Sequence, residues 1–447
     1  LLRLLFGGTA ISSFLFNLVA SAEPVYLPEP LIGTQAETTW AASATQRVLD
    51  TALGLPAIAY PADNPPTPEK VALGRKLFFD RRLSFNKTMS CAMCHVPEQA
   101  FSSWEMQTSV GVEGRSGKRN APTILNVGFY KTLFTDGRET SLETQFISPL
   151  IARNEMANPS AGYLVTKLKS LPDYNGLFEE AFGKSASLDR IGMALGVYQR
   201  SLVAGNSPFD RWYYGNDKKA ISDKAARGFQ LFKKQANCTT CHIINEDYAI
   251  FTDNNFHDIG YGWWRERKRQ NPPETTSVEI APGEYIQVDK ATITSVGDPP
   301  QSDLGRYEVT EDPEDLWKFR TPSLRNVGVT MPYMHDGGFS TLRDVLEFYN
   351  AGAVPHDGLH PALKPLGLSS GDLADIEAFL HSLTSSTIST LIGEARYQAP
   401  RARSATRSAR GRAPRAVASP CASAARRARR RRRCRAPRRR RRGVLLG

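Results

Sequence analysis

Cysteine is scarce in this chain, with six residues in 447. Two of the six, Cys421 and Cys434, lie after Arg401 in an unusual C-terminal stretch. The other four form two Cys-x-x-Cys pairs, and a histidine directly follows each pair: Cys91, Cys94 and His95, then Cys238, Cys241 and His242. So few cysteines limit the body of the chain to two disulfides, and two disulfides would leave both histidines unexplained.

Acidic residues are absent from Arg401 to Gly447, where the sequence holds 19 arginines. The formal net charge of +12 therefore belongs to this tail, because the residues before it contain 38 basic and 45 acidic side chains. An arginine-rich stretch is typical of a nucleic-acid or anion-binding arm. Nothing else in the chain indicates nucleic acid, so we expect no such partner. We interpret residues 389–447 as a disordered extension or a misread reading frame.

Long hydrophobic runs are also rare, and the clearest one lies at the N-terminus. Arg3 precedes an apolar stretch that ends in small residues at Ala20 and Ala22. This pattern predicts a secretory signal peptide over residues 1–22, followed by a lead segment over 23–61. A membrane anchor is the alternative, but glycine, serine and asparagine interrupt the run and no second span follows. We therefore expect a periplasmic protein without a stable membrane span.

The spacing Cys-x-x-Cys-His is the attachment signature of c-type haem. Two thioether bonds fix the macrocycle, and the adjacent histidine reaches the iron as its proximal ligand. One zinc ion held by both cysteine pairs is an alternative, but it would leave the histidines incidental and join pairs that lie 147 residues apart. Two complete motifs behind an export signal predict two covalent haem c groups.

The chain repeats itself at a fixed offset of 200 residues. The segment "PTILNV", which begins at Pro122, matches "PSLRNV" at Pro322. The segment "DGRETSL" at Asp136 matches "DGGFSTL" at Asp336. This self-similarity indicates two homologous units in tandem.

A similar helical segment precedes each haem motif. "TPEKVALGRKLFF" begins with Thr67 as its N-cap, and "SDKAARGFQLFKK" begins with Ser222 as its N-cap. The pattern Gly-x-x-Leu-Phe that starts at Gly74 recurs at Gly228. Each unit is therefore expected to place a helix directly before its haem.

Helical periodicity dominates both units, as in "DRIGMALGVYQRSL" and "GDLADIEAFLHSL", where apolar residues recur on one face. The insertion in the second unit instead contains "SVEIAPGEYIQVDKATIT", which predicts a hairpin. The predicted fold class is mainly α, with two tandem cytochrome-c-like domains that each carry one covalent haem c. They cover residues 62–205 and 206–388, and the insertion covers about 263–300.

The same offset compares the distal sides of the two haems. Tyr349 maps onto Pro149. Tyrosine can ligate ferric iron through its phenolate, whereas proline cannot. If this position faces the haem in both units, the second iron is capped and the first is open to a small oxidant. Periodicity alone equally supports Tyr349 as an ordinary aromatic residue on a helix face.

From about Leu77 to Leu383 the sequence resembles the bacterial di-haem cytochrome c peroxidase and methylamine-utilisation (MauG) superfamily. The motifs that carry the resemblance are "CAMCH", "GKRNAPT", "FTDGR", "SLETQ", "NEM", "SPFDRW", "CTTCH", "FHDIG", "DLGRYEV", "FRTPSLRNV" and "PYMHDG". They are specific, and they span most of the chain that follows the predicted signal peptide. The fold that this resemblance implies agrees with the tandem haem domains predicted above.

The resemblance implies that peroxide reacts at the N-terminal haem. The acid–base residue of the family is the glutamate of the "NEM" motif, here Glu155. Gln145, ten residues earlier, helps to order the distal pocket, and Pro149 lies over the same haem. A carboxylate beside an open iron can move the proton that heterolytic O–O cleavage requires. The alternative for Glu155 is an ordinary surface charge.

Two departures from the peroxidase pattern point to the tyrosine-ligated branch. Peroxidases of the family often place a removable histidine over the first haem in "TSVGH", where this chain has Val112. Valine cannot ligate iron, so the open site would be permanent. Peroxidases typically cap the second haem with methionine, and the MauG branch uses tyrosine, here Tyr349. An anionic phenolate lowers the potential of the iron.

A third departure concerns electron transfer between the haems. The family often has "FWDGR", whose tryptophan lies between the two groups, but this chain has Thr135 at that position. Threonine cannot be oxidised at accessible potentials. Phe134 and Trp104 are the aromatic candidates to replace it.

A calcium ion usually lies between the two domains of the family. The matching positions are Asn120 in "RNAP", and Thr330 and Pro332 in "VTMPY". Carbonyl oxygens and waters suit such a hard cation. The resemblance therefore implies one calcium ion at these residues.

The leading hypothesis is a periplasmic di-haem peroxidase. It would reduce hydrogen peroxide at the His95 haem with electrons that pass through the His242 haem from a small cytochrome c or a cupredoxin. A second hypothesis is a MauG-like enzyme that uses peroxide to oxidise residues of a partner protein. A non-catalytic di-haem electron carrier or redox sensor is a hypothesis of another class, and Glu155, Gln145 and the vacant distal position argue against it.

Overall fold

The computed structural model describes residues 35–281, 284–296 and 301–396. The predicted signal peptide and the tail beyond residue 396 lie outside these ranges. The described chain is rich in helix, as the sequence predicted. The α-helices are α1 Gln35–Leu49, α2 Pro68–Phe79, α3 Cys91–Cys94, α4 Leu142–Gln145, α5 Ile147–Ile151, α6 Ala161–Lys169, α7 Leu177–Phe182, α8 Leu188–Arg200, α9 Pro208–Tyr213, α10 Asp223–Lys233, α11 Tyr261–Gln270, α12 Lys290–Val296, α13 Tyr307–Thr310, α14 Leu342–Asn350, α15 Ser370–His381 and α16 Thr387–Arg396.

Strands play a minor part among the described residues. They form two antiparallel pairs, in which β1 (Phe256–His257) lies against β4 (Phe319–Arg320) and β2 (Thr275–Ala281) lies against β3 (Glu284–Asp289). The β2–β3 pair is the hairpin that the sequence predicted inside the insertion. In the described part of the chain, no helix is long and apolar enough to cross a membrane.

The helices that precede the two cysteine motifs begin at the predicted caps. The Thr67 hydroxyl accepts a hydrogen bond from the backbone N–H of Lys70 at 3.3 Å, and Pro68 occupies the first position of α2. The Ser222 hydroxyl accepts from the backbone N–H of Ala225 at 3.2 Å at the start of α10. These bonds satisfy N–H groups that the helix itself leaves without a partner.

Each of these helices crosses a second helix at very short distance, and a glycine permits the crossing. A Cβ atom on Gly74 would lie 2.0 Å from the carbonyl oxygen of Ala194 in α8. A Cβ atom on Gly228 would lie 1.8 Å from the carbonyl oxygen of Asp375 in α15. The matched glycines of the sequence repeat therefore have the same packing role, α2 against α8 and α10 against α15.

The described residues pack around two large hydrophobic cores. The first surrounds α2 and α8 and includes Leu77, Phe78, Leu164, Phe178, Ile191, Leu195 and Tyr198. The second surrounds α10 and α15 and includes Phe209, Phe229, Phe232, Phe251, Ile376, Phe379 and Leu383. Cys91 packs against the first core and Cys238 against the second, so each cysteine motif lies at the edge of its own core.

The C-terminal helix differs from the sequence prediction, which placed residues 389–396 in a disordered tail. Residues 387–396 form α16, and Ile388, Leu391 and Ala395 are buried in the first core. Arg75 of α2 donates to the carbonyl oxygen of Ala395 at 2.8 Å. The tail prediction was therefore wrong over 389–396, because this segment has an apolar face that covers α2.

Ion pairs join the two halves of the described chain. The guanidinium of Arg119 donates two 2.7 Å bonds to the carboxylate of Asp303 and also contacts Asp136 at 2.5 Å. Within the second half, Arg325 pairs with Asp210 at 2.9 Å, and both side chains are almost fully buried. These contacts place the "GKRNAPT" and "FTDGR" segments against residues that follow the insertion.

Candidate active site

A single cavity of about 1010 Å³ is lined by both cysteine motifs. This volume is at the upper end of the range for small-molecule sites, which is about 300–1,000 Å³. Its wall is mostly apolar and contains His95 from the first half and His242 from the second. The cavity is thus large enough for extended cofactors held at two places.

His95 is oriented by carbonyl oxygens. Its Nδ1 lies 3.0 Å from the carbonyl oxygen of Pro122 and 3.3 Å from that of Phe101. A carbonyl only accepts, so Nδ1 carries the proton and Nε2 keeps its lone pair. Burial lowers the pKa of His95, which favours the neutral imidazole. This is the state in which an imidazole binds iron.

His242 repeats the arrangement in the second half. Its Nδ1 lies 2.9 Å from the carbonyl oxygen of Phe251. Burial lowers its pKa, and the backbone of Pro322 opposes that shift. Pro122 and Pro322 are related by the 200-residue offset, so the repeat places a corresponding proline near each histidine. Such bonds fix the tautomer and orientation of a metal-binding imidazole.

The positions of the cysteines do not favour the disulfide and zinc interpretations. Cys91, Cys94, Cys238 and Cys241 are free thiols. Among the described residues, Cys241, Asp253 and His257 are the only cluster of three potential metal ligands. The four sulfurs therefore do not converge on one zinc site, and His257 lies beside the second cysteine motif.

Glu155 lies beside the first cysteine motif and lines the cavity. Its charge acts on both Cys91 and Cys94. Burial raises the pKa of Glu155, and the nearby Arg138 partly opposes this. No side-chain hydrogen bond from the described residues reaches its carboxylate.

Gln145 and Pro149 line the same cavity on two consecutive short helices. Gln145 ends α4, and Pro149 lies inside α5. The chain then turns back, because the N–H of Met156 donates to the carbonyl oxygen of Pro149 at 3.1 Å. This turn brings the "NEM" motif next to α5, so the ten-residue spacing places Gln145, Pro149 and Glu155 on one wall.

Val112 is buried, with 3% of its surface exposed. Its backbone N–H donates to the carbonyl oxygen of Glu155 at 2.9 Å, and its side chain is not among those that line the cavity. The loop is closed by further bonds from Gly111 to Arg115 at 2.9 Å and from Gly117 to Ser109 at 2.7 Å. The loop therefore holds the backbone of Glu155 through a residue that does not line the cavity.

Tyr349 lies beside the second cysteine motif, on α14, and lines the cavity. Burial raises its pKa, and the nearby Cys238 and Cys241 raise it further. A phenolate at this position therefore requires the charge of a bound cation. The structure brings Tyr349 to one cysteine motif and Glu155 to the other.

Asn120, Thr330 and Pro332 all line the cavity. The side-chain nitrogen of Asn120 lies within 3.3 Å of three carbonyl oxygens, those of Ser103, Met106 and Gln107. An amide nitrogen has two protons for these three acceptors. Converging carbonyls are the ligand type that calcium prefers.

The two aromatic residues considered for electron transfer between the haems differ in their position relative to the cavity. Phe134 lines the cavity together with Thr135. Trp104 is 39% exposed and is not part of the cavity wall. Phe134 therefore remains a candidate, and Trp104 does not.

Two arginines that line the cavity, Arg138 and Arg320, were not predicted from the sequence. Arg138 pairs with Asp136 at 2.8 Å and lies over the ring of Phe134, whose centroid is 3.5 Å away. Arg320 is 8% exposed and lies over the ring of Tyr130 at 3.7 Å. Both belong to motifs noted in the sequence, but a motif does not show which way a side chain points.

Residues 68–218 match the family model described as di-haem cytochrome c peroxidase. The cytochrome-c peroxidase IdrP1 of Denitromonas iodatirespirans is 37% identical over 334 residues, which cover 74% of this chain and 85% of that protein. The methylamine utilization protein MauG of Methylophilus methylotrophus is 36% identical over 353 residues, which cover 78% of this chain and 91% of that protein.

Solved structures show the same relationship. A MauG-like protein associated with microbial copper homeostasis superposes with a TM-score of 0.61 at 29% identity, over 78% of this chain and 98% of that one. The di-haem peroxidase BthA of Burkholderia thailandensis superposes with a TM-score of 0.58 at 25% identity, over 76% and 92% of the two chains. The chain belongs to the di-haem cytochrome c peroxidase and MauG family of oxidoreductase enzymes.

Proposed function

We propose that this chain is a periplasmic di-haem c-type peroxidase that reduces hydrogen peroxide at the His95 end of the cavity. Electrons would enter through the His242 end from a small cytochrome c or a cupredoxin. The observation that carries the proposal is that different side chains lie at the two ends of the cavity. A proton-exchanging carboxyl, Glu155, lies at one cysteine motif, and a potential ligand, Tyr349, lies at the other.

The residues present fit two covalent haem groups. Four free thiols border the cavity, and both histidines are held as the tautomer that leaves Nε2 available. Thioether bonds from Cys91 and Cys94, and from Cys238 and Cys241, would attach the two groups. Haem bound in this way supplies an iron that accepts peroxide or exchanges electrons.

Glu155 is proposed as the acid–base group. Reduction of hydrogen peroxide consumes two electrons and two protons and yields two water molecules. The carboxylate takes the proton from the near oxygen and returns it to the far oxygen, which then leaves as water. A pKa raised by burial suits this role, because it brings the group closer to the pH at which it must both accept and release a proton. Gln145 and Pro149 shape the pocket in which this occurs.

Tyr349 is proposed as the distal ligand at the His242 end, which would leave that end closed to peroxide. The proline at the corresponding position, Pro149, leaves the His95 end open. Val112 supports this asymmetry, since its side chain lies away from the cavity. One calcium ion is proposed at Asn120, Thr330 and Pro332, which all line the cavity, and three further carbonyl oxygens lie around the side-chain nitrogen of Asn120.

A second candidate function is peroxide-driven oxidation of residues in a partner protein. Tyr349 and the similarity to proteins named MauG favour it. The two functions differ in the source of the electrons, which is a small redox protein in the first case and a side chain of the partner in the second.

Steady-state peroxide consumption by the purified holoprotein tests the proposal. With a reduced small cytochrome c as donor, we expect consumption of one peroxide for every two electrons. Denatured protein should retain two covalent haems by mass spectrometry. A protein with both haems that consumes no peroxide with any reduced donor or protein substrate would instead be an electron carrier or redox sensor.

A further inference from the structure

A buried cation lines the cavity and has no carboxylate to pair with among the described residues. Arg320 is 8% exposed and lines the cavity wall. Its Nε donates to the carbonyl oxygen of Phe134, and its Nη1 donates to that of Thr321, both at 3.3 Å. Within the described ranges, no carboxylate lies at ion-pair distance from it. A buried charge is costly unless it is paired.

The other cations in the cavity wall are neutralised or exposed. Lys118 contacts the carboxylate of Glu308, Arg119 pairs with Asp303, and Arg138 pairs with Asp136. Lys364 is exposed to solvent. Arg320 therefore stands apart as a buried guanidinium that faces the cavity and has free donor capacity.

A second polar group beside Arg320 also lacks a partner. The hydroxyl of Thr135 is buried and makes no hydrogen bond, and Thr135 lines the same cavity. The backbone N–H of Arg320 donates to the carbonyl oxygen of Thr135 at 2.8 Å, which fixes the two residues next to each other. A buried hydroxyl without a hydrogen-bond partner is unfavourable, so an acceptor from a bound group is expected here.

We propose that Arg320 and Thr135 form a carboxylate-binding site in the wall of the cavity, and that its ligand is a haem propionate. A planar guanidinium and an adjacent hydroxyl match the two oxygens of a carboxylate. This inference rests on the proposed function only in requiring the two haems. It makes Arg320 a positioning residue that sets the potential of a haem, and it gives the buried hydroxyl of Thr135 an acceptor.

The test is the reduction potential of each haem in the holoprotein, measured by spectroelectrochemical titration. Arg320→Ala should lower one potential, because loss of a nearby cation favours ferric over ferrous iron. We expect a change of about tenfold in the equilibrium constant for reduction, which corresponds to about 59 mV for a one-electron couple. Arg320→Lys should keep most of the potential, and Thr135→Val should lower the same potential by less.

A matched control separates this role from a merely structural one. Arg306 also joins the two halves, through a 2.9 Å bond to the carbonyl oxygen of Asp136, but it does not line the cavity. Arg306→Ala should therefore weaken folding without moving either potential. If Arg320→Ala fails to fold, Arg320→Lys and Thr135→Val still carry the test.

The experiment also distinguishes a propionate from a free anion. Wild-type potentials that respond saturably to added acetate or formate would show an exchangeable carboxylate, and would overturn the propionate assignment. Unchanged potentials in haem-loaded Arg320→Ala and Thr135→Val would overturn the site altogether. Absence of haem would instead refute the proposed function, so the two failures can be told apart.

Discussion

Glu155 is the side chain on which the proposed peroxide chemistry depends most directly. Glu155→Gln keeps the shape of the residue but cannot exchange the proton, so we expect peroxide turnover to fall by about 100- to 10,000-fold. Haem content and the resting absorption spectrum should not change. Glu113→Gln is the control, because Glu113 is an exposed carboxylate of the neighbouring loop that pairs only with Arg115 among the described residues. Turnover near the wild-type rate in haem-loaded Glu155→Gln would exclude the role.

The proposed ligand role of Tyr349 would make the two irons differ. We expect one high-spin and one low-spin haem in the resting ferric protein by electron paramagnetic resonance. Tyr349→Phe removes the ligand oxygen, so it should convert the low-spin signal to high spin and leave the other unchanged. Tyr333→Phe is the control, because Tyr333 also lines the cavity but its hydroxyl donates to the carbonyl oxygen of Val327 at 2.9 Å. The ligand assignment fails if both variants give the wild-type spectrum.

Residue types and spacing predicted much of the candidate site. The adjacent histidines, the "NEM" glutamate and the offset that relates Tyr349 to Pro149 are all visible in the sequence. The structure places these residues along one cavity. Arg320 could not be predicted, because its importance comes from the absence of a carboxylate at ion-pair distance among the residues that the structure describes. The fold determines which residues lie near Arg320, and the sequence of its motif alone does not show them.

The crossings between helices set the arrangement of the secondary-structure elements. In the second half, Gly228 is the glycine at which an added Cβ would come closest to a neighbouring atom. An added Cβ would lie 1.8 Å from the carbonyl oxygen of Asp375, so Gly228→Ala should separate α10 from α15. We expect a loss of about 1–3 kcal/mol in the free energy of unfolding, the usual range for overpacking. Urea denaturation followed by circular dichroism measures it.

The control for Gly228 lies on the partner helix. A Cβ on Gly371, near the start of α15, would meet its nearest neighbour at 3.6 Å, an ordinary contact. Gly371→Ala should therefore be neutral or stabilise by up to about 1 kcal/mol, because alanine restricts the unfolded chain more than glycine does. Equal stability of the two variants would show that the crossing tolerates a larger separation.

The sequence predicted those helices and strands whose caps, apolar faces or turns lie within the element itself. The caps at Thr67 and Ser222 and the apolar faces of α8 and α15 were readable, and so was the hairpin of the insertion. Helix α16 was missed because its stability comes from a distant partner. Its apolar residues cover α2, which lies more than 300 residues earlier, and a short apolar pattern beside an arginine-rich tail gave no sign of that surface.

The whole described molecule is organised around two cores that share one cavity. The sequence repeat indicated two similar units, and the matched glycines and prolines now have matched roles at Gly74 and Gly228 and at Pro122 and Pro322. The contact between the two units could not be predicted from the sequence. The contact relies on charged residues that follow the insertion, such as Asp303, which pairs with Arg119 of the first unit.

Asp303 ties the two halves together, and its titration predicts how the molecule responds to acid. Burial acts to raise its pKa, but the bonds and charge of Arg119 outweigh this and hold the pKa at about 2. An unperturbed aspartate has a pKa of about 3.9. The depressed value stabilises the fold above the unfolded-state pKa, and that stabilisation is lost as the pH falls from about 4 toward 2. Its size is about 2–3 kcal/mol.

The urea midpoint of the holoprotein, measured between pH 7 and pH 2.5, tests this linkage. Asp303→Asn should lower the midpoint at pH 7 and flatten its fall below pH 4, because the variant has no carboxylate to protonate. Asp357→Asn is the control, since Asp357 is exposed and joins no ion pair among the described residues. Its profile should follow the wild type. If the urea midpoint of Asp303→Asn runs parallel to that of the wild type at every pH, protonation of Asp303 does not weaken the contact between the two halves.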